Sequence, residues 1–419
     1  MMYFYAFAYK EIKMNKLYKI EKQPSMDHRE VAKEHDLFSF HEYGVGFPFF
    51  HDKGLKIKNA LIALWREYHQ QDYLEIESPI MLDQKLWEQS GHMQHFKEHM
   101  YLCDAQDRSY AIKPMSCPGA ILFYKHKRRF HSEMPLRVAE LGRVHRYENS
   151  GSLNGILRVR SFIQDDAHIF CRKSQAHEEI KAVIKLSRKL LELCGFDDFF
   201  YELSMRDQSE KYLGSKEDWI LSENILKNVL DELNISYKES KGEAKFYGPA
   251  IDVHIKDSHG KLWQCSSVQF DFNLSSRFDV SFANEVGEGE IPFIIHRALF
   301  GSLERFIGIL LENFGMDLPF FLRPEQVRVL SFLDEGHSYL EEIKNELKQR
   351  GVRYKVEYVK KSLGQKIKAA QNEKIPFMFI VGGKEASLGE VSIRNQAGKR
   401  AQVQLKELAK YWKKVGIDI

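Results

Sequence analysis

A stretch near the middle of the chain concentrates polar side chains of types that bind ligands. ILRVRSFIQDDAHIF, residues 156–170, alternates with a period of two, which predicts a β-strand with distinct faces. One face carries Arg158, Arg160, Gln164, Asp166 and His168. Burying these groups is costly unless they pair or hold a ligand, and a guanidinium suits phosphate oxygens. The pattern predicts a site for a nucleotide and a small polar substrate. The alternative is the exposed face of an edge hairpin.

The preceding segment completes a predicted hairpin. LRVAELGRVHRYE, residues 136–148, also alternates and places Glu140, Arg146 and Glu148 on one face. The loop NSGSLNG between the two strands consists of turn formers. We therefore expect Arg146 and Glu148 to lie beside the polar residues of the return strand.

A second candidate lies in HRALFGSLERFIGIL, residues 296–310, which predicts a helix over residues 298–313. Its helical spacing puts Gly301, Ser302, Arg305 and Gly308 on one face. Small residues beside an arginine let a flat ligand or another backbone approach closely. Helix packing with an arginine that reaches solvent is the alternative.

Composition limits the class of protein. The 419 residues exceed one ordinary domain, and 62 Lys+Arg against 59 Asp+Glu neither require nor exclude a nucleic-acid partner. The 5 cysteines are scattered without a C-x-x-C pair, which favours a reducing compartment. The short apolar start MMYFYAFAY lacks preceding basic residues and does not predict an export signal, and no run predicts a membrane span. We therefore expect a cytoplasmic protein.

The elements expected to position these residues fall into two blocks. Residues 1–36 predict an irregular extension, 54–69 a helix, and the region up to about 170 mainly strands and turns. Helices are predicted at 175–194 and 217–234, and strands at 246–256, 261–271 and 292–296. After a linker containing Pro319 and Pro324, strands alternate with short helices, which predicts a small α/β domain with a mixed sheet. Its basic helices fit either a nucleic-acid platform or solvated surfaces.

Three sequence blocks resemble motifs 1, 2 and 3 of the class II aminoacyl-tRNA synthetases. They are KNALIALWREYHQQDYLEIESPIM, the hairpin with VHRYE, and GSLERFIG. IKPMSCPGA, FYGPAID and WQCSSVQFDF narrow the resemblance to the threonyl-tRNA synthetase family. The likeness runs from about residue 27 to the C-terminus. It implies an α/β protein with a class II catalytic domain at 37–320, whose antiparallel sheet is flanked by helices, and a small α/β anticodon-binding domain at 324–419.

The resemblance also implies a zinc site, which spacing alone would not identify. The matching positions are Cys117, His168 and His296. One cysteine and two histidines are a ligand set that suits zinc and leaves a position open. In the family this single catalytic zinc binds the amino and hydroxyl groups of threonine.

Other roles transfer to individual matching residues. The positions expected to bind ATP, with Mg²⁺, are Arg146, Glu148, Arg158, Ser302 and Arg305. Those expected at the threonine site are Met115, Gln164, Asp166, Tyr247, Gln264 and Gln269. His92 matches a histidine near the tRNA 3′ end, and Glu385 and Arg394 match positions that read the anticodon. Arg146, Arg305 and His92 are the expected catalytic residues.

The resemblance implies ligation of L-threonine to tRNA(Thr) by a homodimer that associates through the motif 1 helix. The sequence starts almost at the catalytic core, so we expect no editing domain and detectable charging of serine, which lacks only a methyl group. One departure is Ala250, where the family usually has lysine after FYGP. It supports an alternative, a paralogue that activates an amino acid for another acceptor. A non-catalytic RNA-binding protein is a third hypothesis, and it would not need the arginine and Cys/His/His sets.

Overall fold

The structure is a computed structural model that describes residues 26–209, 211–358 and 362–417. These residues form two compact units. The larger comprises Ser39–Phe49 and Ile62–Asn313, and the other comprises the described residues up to Phe38, Phe50–Leu61 and the residues from Phe314 onward. Residues 1–25 of the predicted extension lie outside the described residues.

The described end of that extension is helical, so the irregular structure predicted there is wrong. Helix α1 spans His28–His35, and the Asp27 side chain accepts a hydrogen bond from the backbone N–H of Arg29. An aspartate at this position satisfies a free N–H of the first turn. The helix was not predicted because the segment is rich in charged residues and has only a short apolar stretch, Val31 and Ala32, which is buried.

The elements that follow are short up to residue 130 and longer after it. In chain order they are β1 (Phe38–Ser39), β2 (Phe49–Phe50), α2 (Asp52–Glu67), β3 (Leu74–Glu75), β4 (Met81–Asp83), α3 (Gln84–Gln89), α4 (His92–His95), β5 (Tyr101–Ala105), β6 (Arg108–Ile112), α5 (Cys117–Lys125) and β7 (Arg129–Phe130). Next come β8 (Leu136–His145), β9 (Ser161–Cys171), α6 (Ala176–Leu193), β10 (Phe200–Met205), α7 (Lys216–Glu232), β11 (Tyr237–Lys241), β12 (Ala250–Lys256), β13 (Leu262–Asp271), α8 (Leu274–Arg277), β14 (Phe282–Ala283), β15 (Gly289–Glu290), β16 (Phe293–Ser302) and α9 (Leu303–Phe314).

An eight-stranded sheet forms the centre of the larger unit, in the order β11-β10-β12-β13-β16-β9-β8-β3. Its inner pairs are antiparallel, whereas β10 with β11 and β3 with β8 are parallel. Helix α6 packs on β13 and β16, and its Ser187 donates a hydrogen bond to Ser266 of β13. Because side chains alternate along a strand, Ser267 and Gln269 face away from α6. The antiparallel sheet flanked by helices is confirmed.

The elements after α9 form a five-stranded sheet with helices. They are β17 (Val327–Ser331), α10 (Ser338–Gln349), β18 (Tyr354–Tyr358), α11 (Leu363–Asn372), β19 (Phe377–Val381), α12 (Gly383–Leu388), β20 (Glu390–Asn395), β21 (Arg400–Gln404) and α13 (Leu408–Lys414). The strand order is β18-β17-β19-β20-β21, with parallel pairs at β17 and antiparallel pairs at β20. The predicted small α/β domain with a mixed sheet is confirmed. Within the described residues, no helix is long and apolar enough to cross a membrane.

Two further predictions were wrong in detail. The region expected to hold mainly strands and turns also contains α3, α4 and α5, which are short helices of 6, 4 and 9 residues. Helices of this length carry too few turns for a clear periodic pattern. The helix expected over residues 298–313 begins only at Leu303, because β16 continues to Ser302.

Candidate active site

A cavity of about 300 Å³ opens on the face of the large sheet opposite α6. Strands β9, β13 and β16 form its floor, and the start of α9, the residues after β8 and the Lys245–Tyr247 turn form its walls. Its lining includes these residues predicted from the sequence: Met115, Cys117, Arg146, Glu148, Arg158, Gln164, Asp166, His168, Tyr247, Gln264, Gln269, His296, Ser302 and Arg305. The structure thus brings together residues that lie up to 190 positions apart along the chain (115 to 305).

The hairpin arranges its polar residues partly as expected. Gln164, Asp166 and His168 alternate along β9 and line the cavity. Arg158 precedes the strand, and Arg146 and Glu148 follow the end of β8 at His145. These three are therefore held by the loop between the strands rather than by strand alternation.

Arg160 does not share the cavity face, contrary to prediction. Its guanidinium donates to the backbone carbonyl of Glu148 at 2.9 and 2.8 Å and to that of Val45 at 3.2 Å. Strand alternation fails here because β9 begins at Ser161. Arg160 thus holds the backbone of Glu148 in place. The Glu148 carboxylate in turn forms a 2.8 Å ion pair with Arg158.

At one end of the cavity, Cys117, His168 and His296 form a cluster whose ligand atoms all lie within 4.8 Å of one another. His168 and His296 are directly opposite in the β9–β16 pair, and Cys117 is the first residue of α5. Burial raises the pKa of the Cys117 thiol and lowers that of His168. Without a cation both groups are neutral, and a bound divalent cation would favour the thiolate.

The surroundings of this cluster suit a metal. His296 Nε2 lies 2.8 Å from Asp271 Oδ2, an arrangement in which a carboxylate orients a ligating imidazole and leaves the other ring nitrogen available. One sulfur and two imidazoles fit zinc with an open fourth position. The ligand set and its burial therefore fit the predicted zinc.

His92 does not line the cavity and lies behind two of its lining residues. Its Nε2 is 3.2 Å from Met115 Sδ and 3.7 Å from Cys117 Sγ, and its Nδ1 is 2.7 Å from Ser90 Oγ. The side chain is fully buried, and burial lowers its pKa to about 3. His92 is therefore neutral at pH 7, and it contacts Cys117 of the Cys117/His168/His296 cluster from outside the cavity.

Two arginines dominate the other end of the cavity. Arg146 donates to the carbonyl of Pro114 at 3.1 Å and to Gln164 Oε1 at 3.4 Å, between the rings of Phe96 and Phe162. Arg305 donates to the carbonyl of Leu157 at 3.0 Å. Burial lowers the pKa of both, and neither forms an ion pair among the described residues. Unpaired guanidiniums in a cavity are favourable sites for anionic oxygens.

Between the two ends lie groups that suit a small polar molecule. The Tyr247 hydroxyl hydrogen-bonds to Gln269 Oε1, and Gln269 Nε2 donates to Ser267 Oγ at 3.0 Å. Gln264 Nε2 donates to Asp252. Burial raises the pKa of Asp166 to about 6, and His296 and Arg146 act against that rise. Near pH 7 the Asp166 carboxylate can therefore accept hydrogen bonds from an ammonium group.

The junction of β16 and α9 depends on a residue that sequence reasoning missed. The Asp165 carboxylate accepts hydrogen bonds from the backbone N–H groups of Leu299, Phe300 and Gly301, each at 2.9 Å. Gly301 has φ +75°, and a Cβ there would lie 2.6 Å from the carbonyl oxygen of Cys265. These contacts keep residues 298–302 out of the helix, so Ser302 caps α9 by accepting from the N–H of Arg305 at 3.2 Å. Gly301 and Ser302 therefore do not share a helical face with Arg305.

Beneath this junction, Arg297 and His69 extend the buried network. The Arg297 guanidinium donates to His69 Nε2 and, at 3.2 Å, to the carbonyl of Asp165. By strand alternation Asp165 shares the face of Ile163 and Ala167, and no local signal pairs it with residues more than 130 positions away. Only the doubled aspartate of QDDAH could have drawn attention to it.

The two residues predicted to read an anticodon lie in the C-terminal sheet region. Glu385 of α12 accepts hydrogen bonds from the N–H of Gly382 and from Ser392 Oγ, both at 3.0 Å. Arg394 of β20 is opposite Arg400 of β21. Glu385 is thus held in place by one backbone contact and one contact to β20.

Two family models match the chain. The tRNA synthetase class II core domain (G, H, P, S and T) matches residues 98–314, and the Anticodon binding domain matches residues 326–415. The fold and the cavity therefore define a class II tRNA synthetase.

Similar proteins narrow the family. A threonine--tRNA ligase of Clostridium botulinum is 44% identical over 390 residues, which are 93% of this chain and 61% of the relative. A crystal structure described as the RNA binding domain of threonyl-tRNA synthetase from Cryptosporidium parvum is 33% identical with a TM-score of 0.88, over 94% of this chain and 99% of that one. The chain belongs to the threonyl-tRNA synthetase family. Prolyl-tRNA synthetase from Giardia lamblia, at 15% identity and a TM-score of 0.69 over 92% of this chain and 77% of that one, shares the fold.

Proposed function

We propose that this chain activates L-threonine with ATP and transfers it to tRNA(Thr). The chain spans 61% of the length of the curated relatives it matches, so the activity rests on the cavity rather than on those relatives. The observation that carries it is one cavity with the Cys117/His168/His296 cluster at one end and Arg146 and Arg305 at the other. The cluster end, with a metal ion bound, would suit an amino and a hydroxyl group. The arginine end suits a triphosphate.

In the activation step, a carboxylate oxygen of threonine forms a bond to the α-phosphorus of ATP. The bond from that phosphorus to the pyrophosphate oxygen breaks, and pyrophosphate leaves with the electron pair. Arg146 would bind the α-phosphate and Arg305 the far end of the triphosphate, where each offsets charge as it shifts. Glu148, Arg158 and Ser302 would hold the rest of ATP, with Mg²⁺ on its phosphates.

At the amino acid end, Asp166 would accept a hydrogen bond from an N–H of the threonine amino group, which must be in its unprotonated form to bind a metal. Gln164, Tyr247, Gln264 and Gln269 would surround the rest of the substrate together with Met115. A zinc ion held by Cys117, His168 and His296 would act as a Lewis acid that binds the amino and hydroxyl groups. Valine lacks that hydroxyl, so the site rejects it strongly.

Transfer follows when a ribose hydroxyl oxygen of the tRNA end attacks the carbonyl carbon of the adenylate. The carbon–oxygen bond to AMP breaks, and the hydroxyl proton is released. We assign His92 to the transfer step near the tRNA 3′ end, where it would act through its contacts with Met115 and Cys117, and we assign Glu385 and Arg394 to the anticodon. Five free cysteines among the described residues agree with the expected reducing, cytoplasmic location.

ATP–pyrophosphate exchange with threonine, serine and valine tests the activation step. We expect exchange with threonine, exchange with serine about 10- to 200-fold weaker, and no measurable exchange with valine. Serine lacks only the methyl group of threonine, which accounts for this roughly 10- to 200-fold difference. Valine lacks the hydroxyl group, on which binding depends. Absence of exchange with every amino acid would contradict the proposal.

Ala250 favours a second candidate function, in which the chain is a paralogue that passes its activated amino acid to an acceptor other than tRNA(Thr). Ala250 of β12 is fully buried opposite Gln269, at a position where the family usually has a lysine. Charging of tRNA(Thr) transcripts separates the two functions. Exchange without charging would favour the paralogue, and exchange with charging would exclude it.

A further inference from the structure

Lys245 lines the active-site cavity, yet the mechanism above gives it no role. It lies between β11 and β12, in a turn that the Lys245–Gly248 bridge closes. Its side chain is half-buried and also borders an open polar groove beside the cavity. Within the described residues, Lys245 forms no ion pair and no side-chain hydrogen bond. By contrast, Lys238, which lines the same groove, pairs with Glu202 at 3.5 Å.

The turn that carries Lys245 is anchored on several sides. Gly248 approaches the strand β13 so closely that a Cβ would lie 1.7 Å from the carbonyl oxygen of Phe270. The carbonyl of Tyr247 accepts from Asn273 Nδ2 at 2.8 Å, and the Phe246 ring stacks on His95 at 4.5 Å. Lys245 therefore extends from a fixed backbone at the cavity wall, not from a free loop.

The charge of the cavity calls for an anionic ligand. Four cationic side chains line it, namely Arg146, Arg158, Lys245 and Arg305, against two carboxylates, Glu148 and Asp166. Glu148 already pairs with Arg158 at 2.8 Å. An ammonium group on a flexible stem, left without a carboxylate at such a wall, is suited to bind a phosphate oxygen as a point charge.

The neighbouring strand shows why this cation matters here. Ala250 of β12 is opposite Gln269, a cavity residue, and therefore lies on the sheet face that bears the cavity. Its methyl group supplies no charge. Lys245 and Ala250 flank the same Phe246–Pro249 segment, which is only four residues long, so the lysine stem starts from the turn that leads directly into β12 at Ala250.

We propose that Lys245 is a phosphate-binding residue of this active site and supplies, from the turn, the cation that β12 lacks at Ala250. Its ligand is the phosphate of ATP and of the aminoacyl-adenylate. This role rests on the proposed amino acid activation. Lys245 binds the reactants and does not take part in bond making.

The test is ATP–pyrophosphate exchange with threonine by Lys245→Met, which keeps most of the apolar stem and removes the charge. We expect kcat/KM to fall about 10- to 100-fold, as loss of a charge-assisted hydrogen bond implies. Lys241→Met is the matched control, because Lys241 is exposed on β11, borders the same groove and does not line the cavity. It should exchange like the wild type. Unchanged exchange by Lys245→Met would overturn the proposal, and so would a loss confined to transfer onto tRNA.

The double variant Lys245→Met/Ala250→Lys tests whether a cation at position 250 can replace the one at position 245. Recovery of at least part of the lost ATP–pyrophosphate exchange activity supports the proposal, and a soluble, folded double variant with no recovery overturns it. If the wild type shows no exchange at all, the proposed function fails, and ATP binding by equilibrium dialysis then tests Lys245 alone. Weaker ATP binding by Lys245→Met than by Lys241→Met supports the phosphate-binding role, and equal binding overturns it.

Discussion

Single residues in this active site have properties that depend on burial more than on their chemical type. Burial raises the pKa of Cys117 and lowers those of His92 and His168, so three groups that could carry charge are neutral in the folded chain. A buried cluster of a neutral thiol and neutral imidazoles suits a soft or borderline cation better than it suits water molecules.

Cys117→Ser should remove most of the zinc from the purified protein, because a hydroxyl group is a much poorer zinc ligand than a thiolate. The measurement is metal content by mass spectrometry of the chain prepared without chelator. Cys103→Ser, at a half-buried free cysteine in β5, should keep the wild-type content. Equal zinc in the two variants would remove Cys117 from the ligand set.

His69 gives a prediction of pH dependence. Its Nδ1 donates to the carbonyl of Trp65 and its Nε2 accepts from Arg297, so both nitrogens are used by the neutral form. Burial and then Arg297 lower its pKa from 6.5 to about 2. The unfolded chain therefore binds a proton below pH 6.5 that the folded chain does not bind, and stability falls as the pH drops from 6.5 toward 2.

Each pH unit in that window costs about 1.4 kcal/mol of unfolding free energy from this one group. We expect His69→Gln to be less stable at pH 7.5 but to lose stability more slowly between pH 6.5 and 5 than the wild type. Urea denaturation at several pH values measures both slopes. Parallel slopes for the two proteins would show that His69 is protonated in the folded state.

At the scale of elements, the sequence predicted what local patterns determine. The alternation of β9 and the apolar face of α6 followed from spacing, and the C-terminal α/β order followed from the alternation of strand and helix patterns. The β16–α9 junction was misplaced because its conformation depends on Asp165, far away in sequence. The cluster at Cys117 was found only by resemblance, since its members are 51 and 128 residues apart (117 to 168 to 296).

Asp165→Asn tests how the β16–α9 junction supports catalysis. An amide can accept on one oxygen only, so the N–H groups of Leu299, Phe300 and Gly301 cannot all be satisfied, and Arg305 should shift with the start of α9. We expect kcat for ATP–pyrophosphate exchange to fall about 100-fold, as a displacement near 1 Å can cause, with a smaller change in KM for threonine.

The control for that variant is Asp197→Asn, at an exposed aspartate after α6, which should exchange normally. Asp165 is a positioning residue, so a loss of stability alone would not support its role. Thermal unfolding and kcat are therefore measured together. A variant that is less stable but exchanges at the wild-type rate when folded would contradict the positioning role.

At the scale of the whole molecule, an exposed apolar segment agrees with the proposed homodimer. In the segment Ser39–Phe49, Tyr43 is 96% exposed, Phe49 51% and Val45 49%. Side chains of this kind close together in sequence are typical of an interface. The segment directly precedes α2, the motif 1 helix through which we expect the two copies to associate.

We predict that Tyr43→Asp/Val45→Asp shifts the chain from dimer to monomer, because two carboxylates would have to be desolvated in the interface. Sedimentation velocity at micromolar concentration measures the distribution. Val286→Asp is the control, since Val286 is 77% exposed in the β14–β15 loop and should leave the dimer intact. A wild type that sediments as a monomer would contradict the dimer. If instead both variants remain dimeric, the copies associate elsewhere, and substitutions on the exposed face of α2, such as Leu55→Asp, become the deciding measurement.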